Sequence, residues 1–370
     1  MLTINETSTY TMSQSVNQAS DFIIIGENIH ATRVLLRNGK RAKTLPDTSE
    51  VVPFINSSNT EDHLVVPPWF RETQPYQQNQ IKHFMIAFMN GIKGNDQEKN
   101  IASEYIGYEV RRQESAGAHY LDINVDEIHY DLEIQKQAMK WAVSTVESYS
   151  SKPLCIDSSN SEIILAGLSE YKGKNGPPII NSYAVERPEV LEMLKEYGGK
   201  VITMATSGTG MPQNSEERIE NAKIVIDNLL KIDIPLNDIF LDAIIFPISV
   251  DPQNGNRYLD AVNKLRNIYG KELYIGMGLS NVSFGMPKRK LINLAFIHLC
   301  IKAGINAGIT DPIQTKVNDA LTINPESYPI KYAIDMLLGK DDFCMNYISC
   351  LLYTSPSPRD ATLSRMPSSA

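Results

Sequence analysis

Cysteine is scarce: the 370 residues hold four, Cys155, Cys300, Cys344 and Cys350, and none belongs to a C-x-x-C pair. That spacing offers neither a zinc-ligating set nor a disulfide framework, and it fits a reducing, cytoplasmic setting. Long apolar runs are also missing, so no stretch reaches the ~18 consecutive apolar residues of a membrane span. The opening segment MLTINETSTYTMSQSVNQAS has neither a basic start nor an apolar run behind it. It reads as a disordered extension over residues 1–20 rather than an export signal. Positive charge is in deficit, with 35 Lys and Arg against 43 Asp and Glu and a net charge of -8. Nucleic acid is therefore excluded as the main partner, because a phosphate backbone needs a concentrated basic face. A small anion could still be bound locally. The 42% apolar and 21% charged residues that remain describe an ordinary globular chain.

What is present is alternation. Short β-branched runs at DFIIIG (21–26), AHYLDIN (118–124), KPLCID (152–157), PPIINS (177–182), GKVITMA (199–205), NDIFLDA (237–243), ELYIGMG (272–278) and INAGIT (305–310) are each followed by room for a helix. Eight such βα units predict a parallel (β/α)8 TIM barrel, closed so that no strand edge is exposed. The alternative is an open doubly wound sheet, which is disfavoured because no G-x-G-x-x-G follows the first strand. The segment 214–232 shows helical spacing at Ile219, Ala222, Ile226 and Leu230, with Asn214 or Ser215 as its N-cap.

Two segments break the pattern. Residues 34–97 form a long insertion after the first strand, much of it rich in Pro, Ser, Thr and Asn, and a loop of that length points to a lid or partner-docking element rather than a linker. From residue 350 onward, CLLYTSPSPRDATLSRMPSSA has no periodicity and a different composition. It reads as a non-native tail appended to a barrel that occupies residues 21–349.

Polar residues at the C-terminal ends of barrel strands face the site. Here those ends carry Glu27 and Asn28, Asp122 and Asn124, Asp157 with Ser158, Asn181 with Ser182, Asp242, Ser280 with Asn281, and Asp311. Any one of them, taken alone, is more often a helix N-cap, and Asp157 and Asp311 qualify on paper. As a set, with almost no Lys, Arg or His, they describe a cup of neutral and anionic hydrogen-bonding groups. Such a cup suits a flat heterocycle rich in N–H donors, like the 2-amino-4-oxo ring of a pterin, because a carboxylate accepts two parallel bonds from an amidine-like pair. His30 is the one histidine near a strand end and reads as a loop residue.

LDINV (121–125), CIDSSN (155–160), IINS (179–182), FLDAIIFP (240–247) and GLSNVSFG (278–285), with IIGENIHATR (24–33) before them, occur in order along the chain. Together they resemble the successive strand-end motifs of the pterin-binding methyltransferases. That group includes methyltetrahydrofolate:corrinoid protein methyltransferases and the folate module of cobalamin-dependent methionine synthase, with dihydropteroate synthase as a distant relative. The resemblance implies a dihydropteroate synthase-like barrel in which Asp157, Asn181 and Asp242 hold the pterin ring and Asn281 reaches its nitrogen 5. It puts Asp122 and Asn124 on the pocket floor, with Glu27, Asn28 and Ser280 completing the pterin-binding set.

The implied reaction moves a methyl group from nitrogen 5 of methyltetrahydrofolate to the reduced cobalt of a corrinoid. A methyl on a tertiary amine leaves only if the nitrogen's developing charge is met, which a carboxamide at Asn281 can do, with Asp122 as the first candidate to deliver a proton. No D-x-H-x-x-G segment is present, so the cobalamin would arrive on a separate protein, and no metal is expected on this chain. Dihydropteroate synthase is a poorer match, since its seventh-strand motif has Arg-Lys where Asn281 and Val282 stand here. A pterin-binding subunit without transfer activity is the remaining alternative. Family habit implies a homodimer, and LINLAFIHLCIKAG (291–304) would be apolar either for packing or for that partner.

Overall fold

The computed structural model describes residues 22–208, 210–341 and 344–354. The extension at 1–20 and most of the segment 350–370 lie outside the described residues. Eight parallel strands run in the order of the sequence: β1 (Ile23–His30), β2 (Tyr120–Asn124), β3 (Leu154–Asp157), β4 (Ile179–Tyr183), β5 (Lys200–Met204), β6 (Ile239–Asp242), β7 (Tyr274–Gly276) and β8 (Ala307–Thr310). Strand β1 pairs with both β2 and β8. The ring closes between β7 and β8, where Asn306 N donates to Ile275 O at 3.3 Å and Ile309 N to Met277 O at 3.2 Å. That seam requires Gly276, since a Cβ there would lie 1.8 Å from the Ala307 carbonyl oxygen.

Four of the wall helices begin where a side chain satisfies free N–H groups. Helix α1 (Asp96–Ser115) starts on a capping box in which Asn95 and Glu98 exchange side-chain and backbone bonds. Helices α2 (Leu132–Tyr149) and α3 (Ser161–Glu170) are capped by Asp131 and Asn160, so Asp157 is left free of capping duty. Helix α4 (Glu189–Tyr197) follows β4. Helix α5 (Ser215–Leu230) starts on Asn214, whose Oδ1 accepts from Glu217 N at 2.8 Å, and α6 (Asn254–Tyr269) follows β6. Helix α7 (Arg289–Ala303) buries Ile292, Phe296 and Cys300, and Ile330–Leu337 packs along it, so its apolar character is used within the chain. Inside the barrel a smaller core of Ile25, Cys155, Ile179, Ile202, Phe240, Met277 and Ala307 fills the lower layers, with the Phe240 and Tyr274 rings stacked 4.5 Å apart. Every large apolar side chain buried this way contributes roughly 1.5–3 kcal/mol.

Three boundaries differ from the sequence reading. Strand β1 continues past residue 26 to His30 and carries a bulge between Gly26 and Ile29, so Glu27 and Asn28 lie within the strand. The segment that length and composition mark as a lid is a folded side wall. Its antiparallel hairpin (Glu50–Ile55 and Glu61–Val65) lies against α1, where the Phe54 ring meets Tyr105 edge-on at 5.3 Å, Ser57 N and Oγ donate to Glu104, and Arg41 pairs with buried Glu109. The chain follows that course because Phe54, Leu64, Phe70, Phe84 and Phe88 form one apolar face that needs cover. At the far end a helix over Met345–Thr354 crosses residue 350, with Cys350 buried, so the compositional break at that point does not end the folded structure.

If the side wall belongs to the barrel's core, Phe54→Ala destabilises the whole chain. The expected loss is ~3–5 kcal/mol in one cooperative urea transition. An unchanged midpoint, or a separate early transition confined to the hairpin, would identify the segment as a detachable flap.

Candidate active site

Strand side chains alternate between barrel interior and outer wall, so residues two apart share a face. On β2 this turns Tyr120, Asp122 and Asn124 inward, and the pairing of Asn124 with Asp157 and of Asp157 with Asn181 aligns those three side by side across β2, β3 and β4. Asn124 Nδ2 donates to Asp157 Oδ2 at 2.9 Å, while its own Oδ1 accepts from Asp126 N. One step lower, Asp122 pairs with Cys155. Asp122 is buried, and its Oδ1 has no partner among the described residues. Two strands further on, Asp242 is the last residue of β6 and accepts from Ile244 N at 2.9 Å. The Asn181–Ser182 peptide is cis. Arg187 is pinned nearby, donating to Ser182 Oγ at 2.5 Å and to the Ser158 carbonyl at 3.1 Å.

These carboxyls do not titrate as free ones would. Burial pushes Asp122 well above the ordinary carboxylate range, and neighbouring Asp157 adds to the shift, so Asp122 holds a proton more tightly than a free carboxyl does. Asp157 is pushed up to about 6 by burial, against the opposing pull of the Asn124 amide. Burial likewise lifts Asp242 to about 6, opposed by the Ile244 N–H and by Arg218. The Cys155 thiol beneath them is raised by burial and by Asp122, which leaves it neutral and unreactive.

The arc formed by β7, β8 and β1 is different. It opens into a cavity of about 640 Å3 lined by Glu27, Ser280, Asn281, Phe284, Asp311 and Gln314. Asn281 sits exposed in a short 3-10 turn (Leu279–Ser283) directly after β7. Here the picture of a cup without cations is corrected: Arg33, Arg289 and Lys290 also line the cavity. Arg33 is paired with Glu27 at 2.6 Å. Arg289 lies over the Phe284 ring, 4.5 Å from its centroid, and donates to Ser283 Oγ and the Ser280 carbonyl. The sequence did carry a signal for two of the three, in the basic run PKRK (287–290) that follows GLSNVSFG. Arg33 gave none, because its place depends on where the strand bulges.

Glu27 is raised by burial, with Arg33 opposing. His30 also lines this cavity, and burial with Arg33 nearby lowers it to about 4, so its ring is neutral. Asn28 does not line the cavity. Its Nδ2 donates to Asp311 Oδ1 at 3.1 Å, tying β1 to the turn after β8, while its Oδ1 is buried with no partner among the described residues. Asp311 also caps that turn through Ile313 N and Gln314 N. No group of three or more His, Cys, Asp or Glu that could hold a metal occurs among the described residues. None of their helices is long and apolar enough to cross a membrane.

Set against known proteins, residues 94–311 match a family described as pterin binding enzyme. A methylcorrinoid:tetrahydrofolate methyltransferase of Eubacterium limosum is 28% identical over 240 residues, covering 64% of this chain and 82% of that protein. A methionine synthase of Mycobacterium tuberculosis is 25% identical over 234 residues, covering 60% of this chain and 19% of that much longer protein. Among solved structures, a dihydropteroate synthase of Xanthomonas albilineans aligns over 61% of this chain and 86% of its own, at 15% identity and a TM-score of 0.49.

The raised carboxyls make a prediction about stability. Asp242 titrates at about 6 in the folded protein and near 3.8 when unfolded, so between those values only the folded form holds the proton. Its contribution therefore favours folding more as pH falls from above 6 toward 4, and it is a penalty at pH 7.5. Asp242→Asn removes that penalty while keeping an oxygen for Ile244 N–H. The variant should be ~1–3 kcal/mol more stable than wild type in urea at pH 7.5, with the difference gone near pH 4. A variant no more stable than wild type at pH 7.5 refutes the raised carboxyl.

Proposed function

Because this chain belongs to the pterin-binding enzyme family, we propose that it transfers a methyl group between nitrogen 5 of a tetrahydrofolate-type pterin and a corrinoid carried by a separate protein. The observation that carries the reading is the inward row Asn124–Asp157–Asn181 at the strand ends, with Asp242 beyond it on β6, while Asn281 lines the cavity on the neighbouring arc of β7, β8 and β1. Methyl-transfer enzymes among the relatives support it. The Eubacterium limosum protein's name runs from methylcorrinoid to tetrahydrofolate, and one geometry serves both directions, since each passes through the same transition state.

In this reading the ionised Asp157 and Asp242 accept the paired N–H groups of the pterin's pyrimidine ring, and Asn181 supplies a carboxamide that both donates and accepts. Asn281 Nδ2–H points at nitrogen 5. It donates as the methyl departs and the bonding electron pair stays on the nitrogen, and it cannot be titrated by its surroundings. Asp122 keeps its proton beneath Asp157 and Asn181, which suits it to restore a proton to the ring through bound water. Arg289 and Lys290, neither of them in an ion pair among the described residues, suit the carboxylates of a folate's glutamate tail. The corrinoid supplies the cobalt that takes or gives the methyl. What this chain offers it is an open mouth whose loops expose Val34, Tyr130, Met211, Val250 and Phe284, an apolar ring suited to a docking protein.

The test is calorimetric binding of methyltetrahydrofolate to the full chain, alongside methyl transfer to free reduced cobalamin. Wild type should bind at micromolar concentration, Asp157→Ala should lose at least ~30-fold in affinity, and Asn281→Ala should bind nearly normally while transfer falls ~100-fold or more. Binding without transfer, with free cobalamin or with a corrinoid protein, would convert the reading to a pterin carrier. An absence of binding would end it.

A further inference from the structure

Arg218, in the first turn of α5, is wholly buried. No carboxylate lies within ion-pairing distance of it among the described residues, and its Nη2 has no hydrogen-bond partner. A guanidinium so placed is costly, since a buried charge wants an opposite charge or a full set of acceptors. The Phe246 ring lies under the guanidinium, 5.5 Å from its centroid, a cation–π contact that offsets part of this cost without satisfying Nη2.

The bonds it does make lead to the site. Arg218 Nε donates to the Ile244 carbonyl at 3.1 Å, and Nη1 donates to the Asn214 carbonyl at 2.9 Å. Ile244 holds a φ of 58°, a left-handed conformation that β-branched residues rarely adopt without an outside constraint. From that turn, Ile244 N donates to Asp242 Oδ1. A continuous path therefore runs from the cap of α5 through the guanidinium to both sides of Ile244 and on to the Asp242 carboxyl. We propose that Arg218 is the positioning residue of the pterin site, locking the left-handed turn at Ile244 that aims Asp242 and supplying the positive field that keeps this carboxylate able to accept the pterin's N–H pair. The pterin half of this statement rests on the function proposed above; the link between Arg218 and Asp242 does not.

The fork explains why arginine stands here. A guanidinium spans two carbonyls on different elements at once, whereas an ammonium is a point charge that can serve one of them well. Arg218 is also among the forces opposing the burial that lifts Asp242, in keeping with a field acting across the same short distance.

The experiment uses the full chain in wild-type, Arg218→Met, Arg218→Lys and Asp242→Asn forms, each first checked by circular dichroism. The Asp242 carboxyl is titrated by 13C NMR without ligand, and the affinity for methyltetrahydrofolate is followed from about pH 5 to 8. Removing a neighbouring positive charge favours the protonated acid, so Arg218→Met should move the Asp242 midpoint upward by ~0.5–1 unit and weaken binding ~10-fold near pH 6.5. Arg218→Lys keeps the charge and loses the fork. It should leave the midpoint near wild type yet bind ~3–10-fold more weakly, and it carries the test should the Met variant fail to fold. Asp242→Asn should bind weakly with no step near pH 6. An unmoved midpoint in Arg218→Met, or wild-type binding in Arg218→Lys, overturns the inference. If the midpoint moves while wild type binds no pterin, the functional reading falls and the link from Arg218 to Asp242 stands.

Discussion

Asn124 can donate to Asp157 only because β2 and β3 are in a register that sets those two residues side by side, and only because both side chains turn into the barrel. The next pairing extends the row to Asn181. A slip of one residue on β3 would put Ser158 in the row and turn Asp157 outward into the apolar packing between strand and helix. The apolar layer beneath, with Ile25, Cys155, Ile179, Ile202 and Phe240 on the same inward face, holds that register, since a slipped strand would lose its buried partners. The polar row is thus the top layer of a core whose lower layers enforce it, and the placement of each site side chain depends on that constraint.

Stacking carboxyls this closely forces them to differ. Asp122 lies a layer below and is raised by burial and by the Asp157 charge, whereas Asp157 has the Asn124 amide and the Arg187 charge to favour its ionised form. Asp242 is treated separately, by a backbone N–H and a buried guanidinium. Like residues thereby sit in graded environments, which under the proposed function would suit Asp122 to hold a proton and Asp157 and Asp242 to accept. The same burial that creates this grading raises the folded-state cost of each charge. Stability is spent where the site is built.

The barrel was legible because its signal is periodic and repeated. Eight β-branched runs with room for helices between them left little choice of fold, and the strand-end residues Asp122, Asn124, Asp157, Asn181 and Asp242 follow from the same count. The cap at Asn214 was legible too, from local chemistry alone. What escaped notice depends on geometry that no short window contains. The bulge in β1 decides that Glu27 reaches the cavity while Asn28 braces Asp311. The side wall at residues 34–97 read as a loop because its strands are short and interrupted by Pro, Ser and Asn, although its aromatic residues bury against α1. Nothing in SEERIENAKIV (215–225) says that Arg218 faces inward.

The two arcs of the mouth have opposite character, and that opposition bears on what can fill it. Asn124, Asp157, Asn181 and Asp242 occupy β2 to β6 with Arg187 beside them, while on the side of β7, β8 and β1 Glu27 is already paired with Arg33 and the positive charge of Arg289 and Lys290 is left over. A ligand that is rich in N–H donors at one end and anionic at the other meets both arcs in one orientation only, because reversal would set its anionic end against Asp157 and Asp242. Asn281 stands on the short turn after β7, on the same arc as Arg289 and Lys290. Under the proposed function, orientation would be set by groups on the two arcs, with Asn281 meeting the atom that reacts and the loops that expose Tyr130 and Phe284 left for the second reactant.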